Sequence, residues 1–107
     1  MHRGELWWAQ LDDKAGRRPV VLLTRENAIP IRELVTIAPV SSRIRRLPVE
    51  VLVGTTEGLS RPSAINCDVI RTVRKEQLTE RISLLPPHKI DELGDTIRFA
   101  LGLDEGN

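Results

Sequence analysis

The chain has 107 residues, 40% of them hydrophobic and 29% charged, with a formal net charge of +1. That balance suits one globular domain over residues 1–107 with a core of modest size, and the longest apolar runs, such as Val20-Val21-Leu22-Leu23, are far too short to cross a bilayer. The opening Met1-His2-Arg3-Gly4-Glu5 lacks the apolar stretch of a secretory signal. Cys67 has no intramolecular disulfide partner, and no spacing of His, Cys, Asp or Glu suits a metal. A cytoplasmic protein with neither metal nor cofactor is expected.

In chain order, residues 5–11 read as a first strand that ends at the polar turn 12–16. Residues 19–24 are apolar on both faces, which predicts a central strand, with Pro19 at its start where no ladder donor is required. A loop around 27–30 leads into a β-branched run at 33–40, a polar turn at 41–46 and a further strand at 48–53. Residues 54–62, rich in Gly, Ser, Thr and Pro, read as a connection. Short strands near 63–66 and 69–73, one helical turn at 75–78 and a last strand at 81–85 follow. Within 88–101, Ile90, Leu93, Ile97, Ala100 and Leu101 recur on one helical face; Pro87 opens that helix and Gly102 ends it. The pattern is a small α+β barrel, mainly β, capped by a C-terminal amphipathic helix.

The distribution of charge says more than its sum. Arg17 and Arg18 fall in one loop-like stretch and Arg43, Arg45 and Arg46 in another, whereas the acids Asp91, Glu92, Asp95, Asp104 and Glu105 collect towards the C-terminus. Local arginine density is what a phosphate backbone would feel, although a solvated face reads the same way.

Five blocks then appear in order. Arg3-Gly4-Glu5-Leu6-Trp7, Gly16-Arg17-Arg18-Pro19-Val20-Val21, Val35-Thr36-Ile37-Ala38-Pro39-Val40-Ser41-Ser42, Leu47-Pro48-Val49-Glu50-Val51 and the stretch from Ile65-Asn66-Cys67-Asp68 to Val73 together resemble the MazF/PemK toxin family from Arg3 to Leu103. The resemblance implies an SH3-like barrel of antiparallel strands, shared with CcdB, that works as a homodimer and cuts single-stranded RNA without a metal. It also implies an active site made by the Arg before Pro and the hydroxyl after the third strand, here Arg18 and Ser41. Arg17, Ser42, Arg43, Arg45 and Arg46 are the accompanying candidates for binding RNA, with Asp68 from the fifth block. The sequence departs from the family pattern in a short first loop, in Ser41 where a Thr is usual, and in Val69 where a Gln is frequent.

The chemistry fits those residue types. RNA carries its own nucleophile, the 2′-OH, so a protein needs only to orient it in line and stabilise charge on a phosphorane-like transition state. A guanidinium stays charged and can contact two phosphoryl oxygens at once, but it is a poor general base at neutral pH. Arg18 therefore reads as an electrostatic stabiliser able to protonate the leaving 5′-oxygen, and Ser41 as a donor to a non-bridging oxygen. The alternative for Arg18 is an ordinary surface cation, and for Ser41 a turn hydroxyl. His2 and His88, at the N-terminus and at a helix start, are poorly placed for a two-histidine mechanism, and Cys67 reads as a buried thiol rather than a nucleophile. Trp7 and Trp8, adjacent on a strand, point to opposite faces, one to the core and the other to an interface or an RNA base.

Two non-enzymatic readings stand beside this one. A CcdB-type gyrase poison needs a C-terminal Trp-Gly-Ile segment, and no Trp lies beyond Trp8. An SH3-like peptide-binding module needs clustered aromatics, and the chain has two Trp, one Phe and no Tyr. The toxin reading implies a cognate antitoxin, expected to be an acidic, partly disordered segment that orders on the basic loops.

Overall fold

The structure, a computed structural model, describes residues 1–11 and 16–103. The turn expected at 12–15 and the acids Asp104 and Glu105 lie outside the described residues. The first three strands are β1 (Glu5–Gln10), β2 (Arg17–Leu22) and β3 (Leu34–Ser41), paired antiparallel as neighbours. Two further pairs follow: β4 (Glu50–Val53) with β5 (Ser63–Asn66), and β6 (Arg71–Arg74) running into β7 (Leu78–Leu84) through a 3-10 turn at Lys75–Gln77. The helix α1 (Pro87–Ala100) closes the chain.

Strands β7, β1, β2, β3 and β6 form one sheet, in that order, and the short turn at Lys75–Gln77 joins its two edges. The sheet is therefore curled on itself. Its inner face is filled by Ala9, Val20, Leu22, Val35, Ile37, Val73 and Leu78, with Ile29 among them and Trp7 packed against the group. Ile29 and Ala28 come from a 3-10 helix at Glu26–Ile31, where the sequence predicted only a loop. Their burial explains the order of that segment.

The same strands are apolar on the other side. Leu6, Val21, Ala38 and Val40 meet Val51 and Val53 of β4, Ile65 of β5, and Leu93 of the helix. The predicted two-faced burial of β2 thus holds: Val20 and Leu22 face one core while Val21 faces the other. Residue β4 alternates as a half-exposed strand should, with Val51 and Val53 buried and Leu52 outside.

Helix α1 buries the expected stripe. Leu93 is fully covered, and Ile90, Ile97 and Ala100 pack against the core. Leu101 departs from expectation, standing past the last helical residue and exposed. The reason is the cap. Gly102 takes a left-handed φ of 70°, the Gly102 amide donates to the Phe99 carbonyl at 3.0 Å, and the Leu103 amide donates to that of Arg98 at 2.9 Å. This pair of bonds is a Schellman closure, which turns the chain off the helix axis before Leu101 can reach the core.

Other boundaries differ slightly from the predicted ones. Strand β2 starts at Arg17 rather than at Pro19, while its ladder to β3 begins only at Val20 opposite Pro39, so Pro19 owes no donor on that side. Strand β7 starts at Leu78 rather than Arg81, because Leu78 caps the barrel interior and so continues the alternation. Strand β4 starts at Glu50 rather than Pro48, and the strand expected at 69–73 is β6, which starts at Arg71.

The Arg3-Gly4-Glu5 block is structural. Gly4 has φ +89°, and a Cβ there would lie 2.8 Å from the Ile90 side chain, so both backbone and helix packing ask for glycine. The Gly4 amide donates to Leu22 and its carbonyl accepts from Leu85, tying the N-terminus to both β2 and the approach to α1. Arg3 Nε donates to the Leu23 carbonyl at 3.1 Å. Glu5 is only 3% exposed; its carboxylate accepts from Arg81 Nε at 2.6 Å, from the His2 amide at 2.7 Å and from the Trp7 indole at 3.0 Å. Burial alone would raise its pKa, but these donors, led by Arg81, outweigh it and hold the carboxyl below its usual 4.5.

A group with a depressed folded pKa stabilises above its unfolded value and stops doing so as pH falls through the folded one. Glu5→Gln should therefore cost about 2 kcal/mol at pH 7, the scale of hydrogen bonds to a charged group with one half-exposed partner. The gap between variant and wild type should close below the usual carboxylate range of pH ~4.5. Urea melts at pH 7 and pH 3 check this; a gap of equal size at both would overturn the assignment.

Candidate active site

Arg18 and Ser41 are 23 residues apart in sequence but belong to adjacent strand ends. The β2–β3 ladder pairs Leu22 with Ile37, Val21 with Ala38 and Val20 with Pro39. Carrying that register two residues further sets Arg18 opposite Ser41, the arrangement in which two side chains share a face at cross-strand distance. On the other flank of β3, Val40 pairs with Ile65 and Ser41 with Ala64, so the start of β5 also arrives here. Three strand ends thus converge at one end of the barrel.

They enclose an open cleft of about 190 Å³. Its walls are Arg18 and Pro19 from β2; Val40, Ser41 and Ser42 from the end of β3; and Leu59, Ser60, Arg61 and Ser63 from the approach to β5. Trp8 of β1, paired with Pro19, forms the floor at one side. Among the described residues the lining is rich in hydroxyls and contains two guanidiniums but no carboxylate or imidazole. Arg18 and Arg61 are exposed, and neither guanidinium is bonded to another described group.

Ser41 is oriented as well as placed. Its Oγ accepts the Arg43 amide at 3.0 Å, which restrains the rotamer that the β-methyl of a threonine would otherwise hold. The hydroxyl proton stays available to a ligand. The turn role and the ligand role of this serine are therefore compatible.

The other predicted residues are distributed differently. Ser42 lines the cleft beside Ser41. Arg17 does not: its guanidinium lies 4.6 Å from the Trp8 ring centroid and donates to Glu80 at 3.0 Å. It is thus engaged as a cation over an aromatic face. Arg43, Arg45 and Arg46 are exposed in the loop that leaves Ser41, outside the cleft wall. Glu50 holds this loop, since its carboxylate accepts the amides of Arg45 at 3.1 Å and Leu47 at 3.2 Å. Arg46 between them adopts φ 57°, a left-handed conformation that a side chain rarely takes without such support. Asp68 is not brought to Arg18 and Ser41: it is exposed in the turn beyond the opposite end of β5, where its amide donates to Asn66 Oδ1 at 2.9 Å.

Sequence reasoning missed Ser60, Arg61 and Ser63, which fell in or beside a stretch taken as a connection. One signal was available, because Arg61-Pro62 repeats the Arg18-Pro19 dipeptide.

The remaining reactive groups lie elsewhere. Cys67 is buried in the core beneath β4 and β5, and burial, with help from Asp68, pushes its thiol up to about 11. His2 binds Glu26 at 2.8 Å at the N-terminus and His88 is exposed at the start of α1; neither lines the cleft. Among the described residues, no three His, Cys, Asp or Glu side chains group as a metal site, and no helix is long and apolar enough to cross a membrane.

The chain is thus a small two-cored barrel with an arginine–hydroxyl cleft at one end. Comparison with known proteins places it more closely. The chain belongs to the family of PemK-like, MazF-like toxins of type II toxin–antitoxin systems, whose sequence profile matches residues 2–101. It is 40% identical over 96 residues to the endoribonuclease MazF3 of Mycobacterium tuberculosis, covering 90% of each chain. In structure it resembles the Mycobacterium tuberculosis toxin MazF-mt6, with a TM-score of 0.86, 36% identity, and coverage of 94% of this chain and 98% of that one. It shares its fold with an endoribonuclease from mycobacterial species solved in complex with its cognate antitoxin, at a TM-score of 0.85 and 21% identity over 96% of both chains. The expected SH3-like, MazF-type barrel is therefore the one observed, and neither the CcdB-type nor the peptide-binding alternative gains support.

Proposed function

We propose that the chain is the toxin of a type II toxin–antitoxin pair and cuts single-stranded RNA as a metal-independent endoribonuclease. It would act as one toxin domain, as a homodimer, in the cytoplasm. The observation that carries this reading is the register that sets the guanidinium of Arg18, unpaired among the described residues, opposite the oriented hydroxyl of Ser41, in a cleft that no described carboxylate lines. Such a cleft favours a phosphate and does not compete for it with an acid of its own.

In the proposed reaction the 2′-oxygen attacks the adjacent phosphorus, losing its proton to solvent, and the bond to the 5′-oxygen breaks. The leaving oxygen takes a proton from water or from Arg18. The products are a 2′,3′-cyclic phosphate and a 5′-hydroxyl. Arg18 stabilises the equatorial oxygens as charge builds, and Ser41 donates to one of them. Trp8, steadied from one side by Arg17, offers an aromatic face at the edge of the cleft on which a base can stack. Arg17 then acts through Trp8 more than through phosphate. Ser42 adds a donor beside Ser41. Arg43, Arg45 and Arg46 extend the positive track beyond the cut, and Asp68 would meet RNA only far along it.

A cognate antitoxin would bring an acidic, partly disordered segment to the same basic end and so block RNA entry. Ile31, Leu34, Phe99, Leu101 and Leu103, all exposed, offer apolar surface for contacts with the antitoxin or with a second copy.

The test is cleavage of a mixed RNA pool in EDTA with the cut ends mapped. Arg18→Ala should lose about 2.7 kcal/mol of transition-state stabilisation, roughly a hundredfold in kcat, as when one oxyanion-hole donor is removed. Ser41→Ala should lose roughly tenfold and Ser41→Thr should retain activity. Wild-type-like cutting by a folded Arg18→Ala variant, or scission that demands a divalent ion, would refute the proposal.

Since no imidazole or carboxylate of the described residues lines the cleft walls, log kcat/KM should climb steadily between about pH 6 and 8.5, without the plateau that a titrating histidine imposes. A bell centred near neutrality would show that a general base had been overlooked.

A further inference from the structure

Arg61 is a second unpaired cation in the cleft, and nothing above gives it a role. It stands on the opposite wall from Arg18, with β3 and Ser41 between them. Two strand spacings separate the flanks of β3, roughly 10 Å, so each arginine can reach outward from its own wall of the cleft to a different phosphate. The same separation suits neighbouring phosphates of an extended single strand.

The backbone that carries Arg61 is fixed, unlike that of a freely solvated arginine. Pro62 follows it and restricts Arg61 to extended conformations. The Ser63 hydroxyl donates to the Arg61 carbonyl at 3.1 Å from a buried position. Gly54 lies flat against the segment, so close that a Cβ there would come within 3.5 Å of Pro62 Cα. A cation held this way gives up less freedom when it binds. It is also exposed, and among the described residues no carboxylate lines the cleft to neutralise it.

We propose that Arg61 grips the phosphate next to the scissile one, so that the cleft binds two consecutive phosphates, one per arginine. Arg61 is then a substrate-positioning residue, and Arg18 the one that acts on the reacting group. This rests on the endoribonuclease reading for the identity of the scissile phosphate, but not for the grip itself.

The probe is an RNA oligonucleotide containing a cleavage sequence mapped for the wild type, made uncleavable by a 2′-deoxy substitution at the cut. Its binding is read by fluorescence anisotropy across a salt series. Arg61→Gln should raise Kd about tenfold, the loss of one charge-assisted contact, and should lower the slope of log K against log salt by about 0.7. Arg61→Lys should restore part of both. On cleavable RNA, Arg61→Gln should raise KM and leave kcat within about twofold, the pattern of binding shared by ground and transition states. A neutral methylphosphonate at the phosphate on one side of the cut should weaken wild-type binding about tenfold but affect Arg61→Gln less than about twofold. Because Arg61 is exposed, its thermal melt should be unchanged.

Absence of that coupling on both sides of the cut would overturn the proposal, as would a fall in kcat at constant KM. If wild type cuts RNA while Arg61→Gln matches it in binding and slope, the grip fails and the endoribonuclease reading stands. If wild type cuts nothing, the same binding series is run on a single-stranded RNA homopolymer, and an Arg61-dependent slope upholds the phosphate grip alone.

Discussion

Strands β2 and β3 are buried on both faces, and their pairing is consequently held from two sides. Moving β3 by one residue along β2 would exchange Val35 and Ile37, which fill the barrel interior, with Ala38 and Val40, which pack in the second core. Each set would then meet a space shaped for the other, and close-packed interiors tolerate such misfit poorly. The cleft inherits this rigidity. Arg18 and Ser41 sit two residues beyond the last pair of the β2–β3 ladder, at the point where the strands become free enough to expose polar groups yet are still fixed in relation to each other. A site that works by electrostatic stabilisation depends on such fixity, since donors that must reorganise lose most of their advantage.

Charge is arranged to match. Away from the cleft four arginines have carboxylate partners, Arg17 with Glu80, Arg74 with Glu76, Arg81 with Glu5 and Arg98 with Asp95, while Arg25, Arg32 and Arg71 form no ion pair among the described residues. At the cleft end Arg18 and Arg61 have none among the described residues, and Glu50, the acid nearest the loop at 43–46, is engaged with backbone amides. Leaving like charges unpaired costs stability, which a folded domain tolerates where function needs it. A net charge of +1 therefore conceals a strongly polarised molecule.

Much of this was legible in the sequence, for identifiable reasons. The two-faced burial of β2 was visible because four apolar residues in a row leave no polar side. The helix was visible through its stripe and through Gly102. Arg18 and Ser41 could be named because the Arg-Pro dipeptide and the hydroxyl at a strand end sit in blocks that resemble a known family. What escaped were properties that exist only in three dimensions. The burial of Ile29 gives a 3-10 helix to a segment whose composition says loop. Arg17 looks like Arg18 on paper, but cross-strand Trp8 and distant Glu80 divert it. Asp68 lies only a few residues from Ser63, yet a strand carries it to the far end. Arg61 was hidden in a Gly- and Pro-rich stretch because composition tells where a loop is and not what it faces.

The burial of Cys67 has a practical side. With the chain's one native thiol sealed beneath β4 and β5 and kept protonated, any cysteine engineered onto the surface becomes the sole handle for maleimide or spin-label chemistry. Dyes or paramagnetic reporters could then be attached around the barrel mouth without first stripping out the natural residue and leaving a void in the interior.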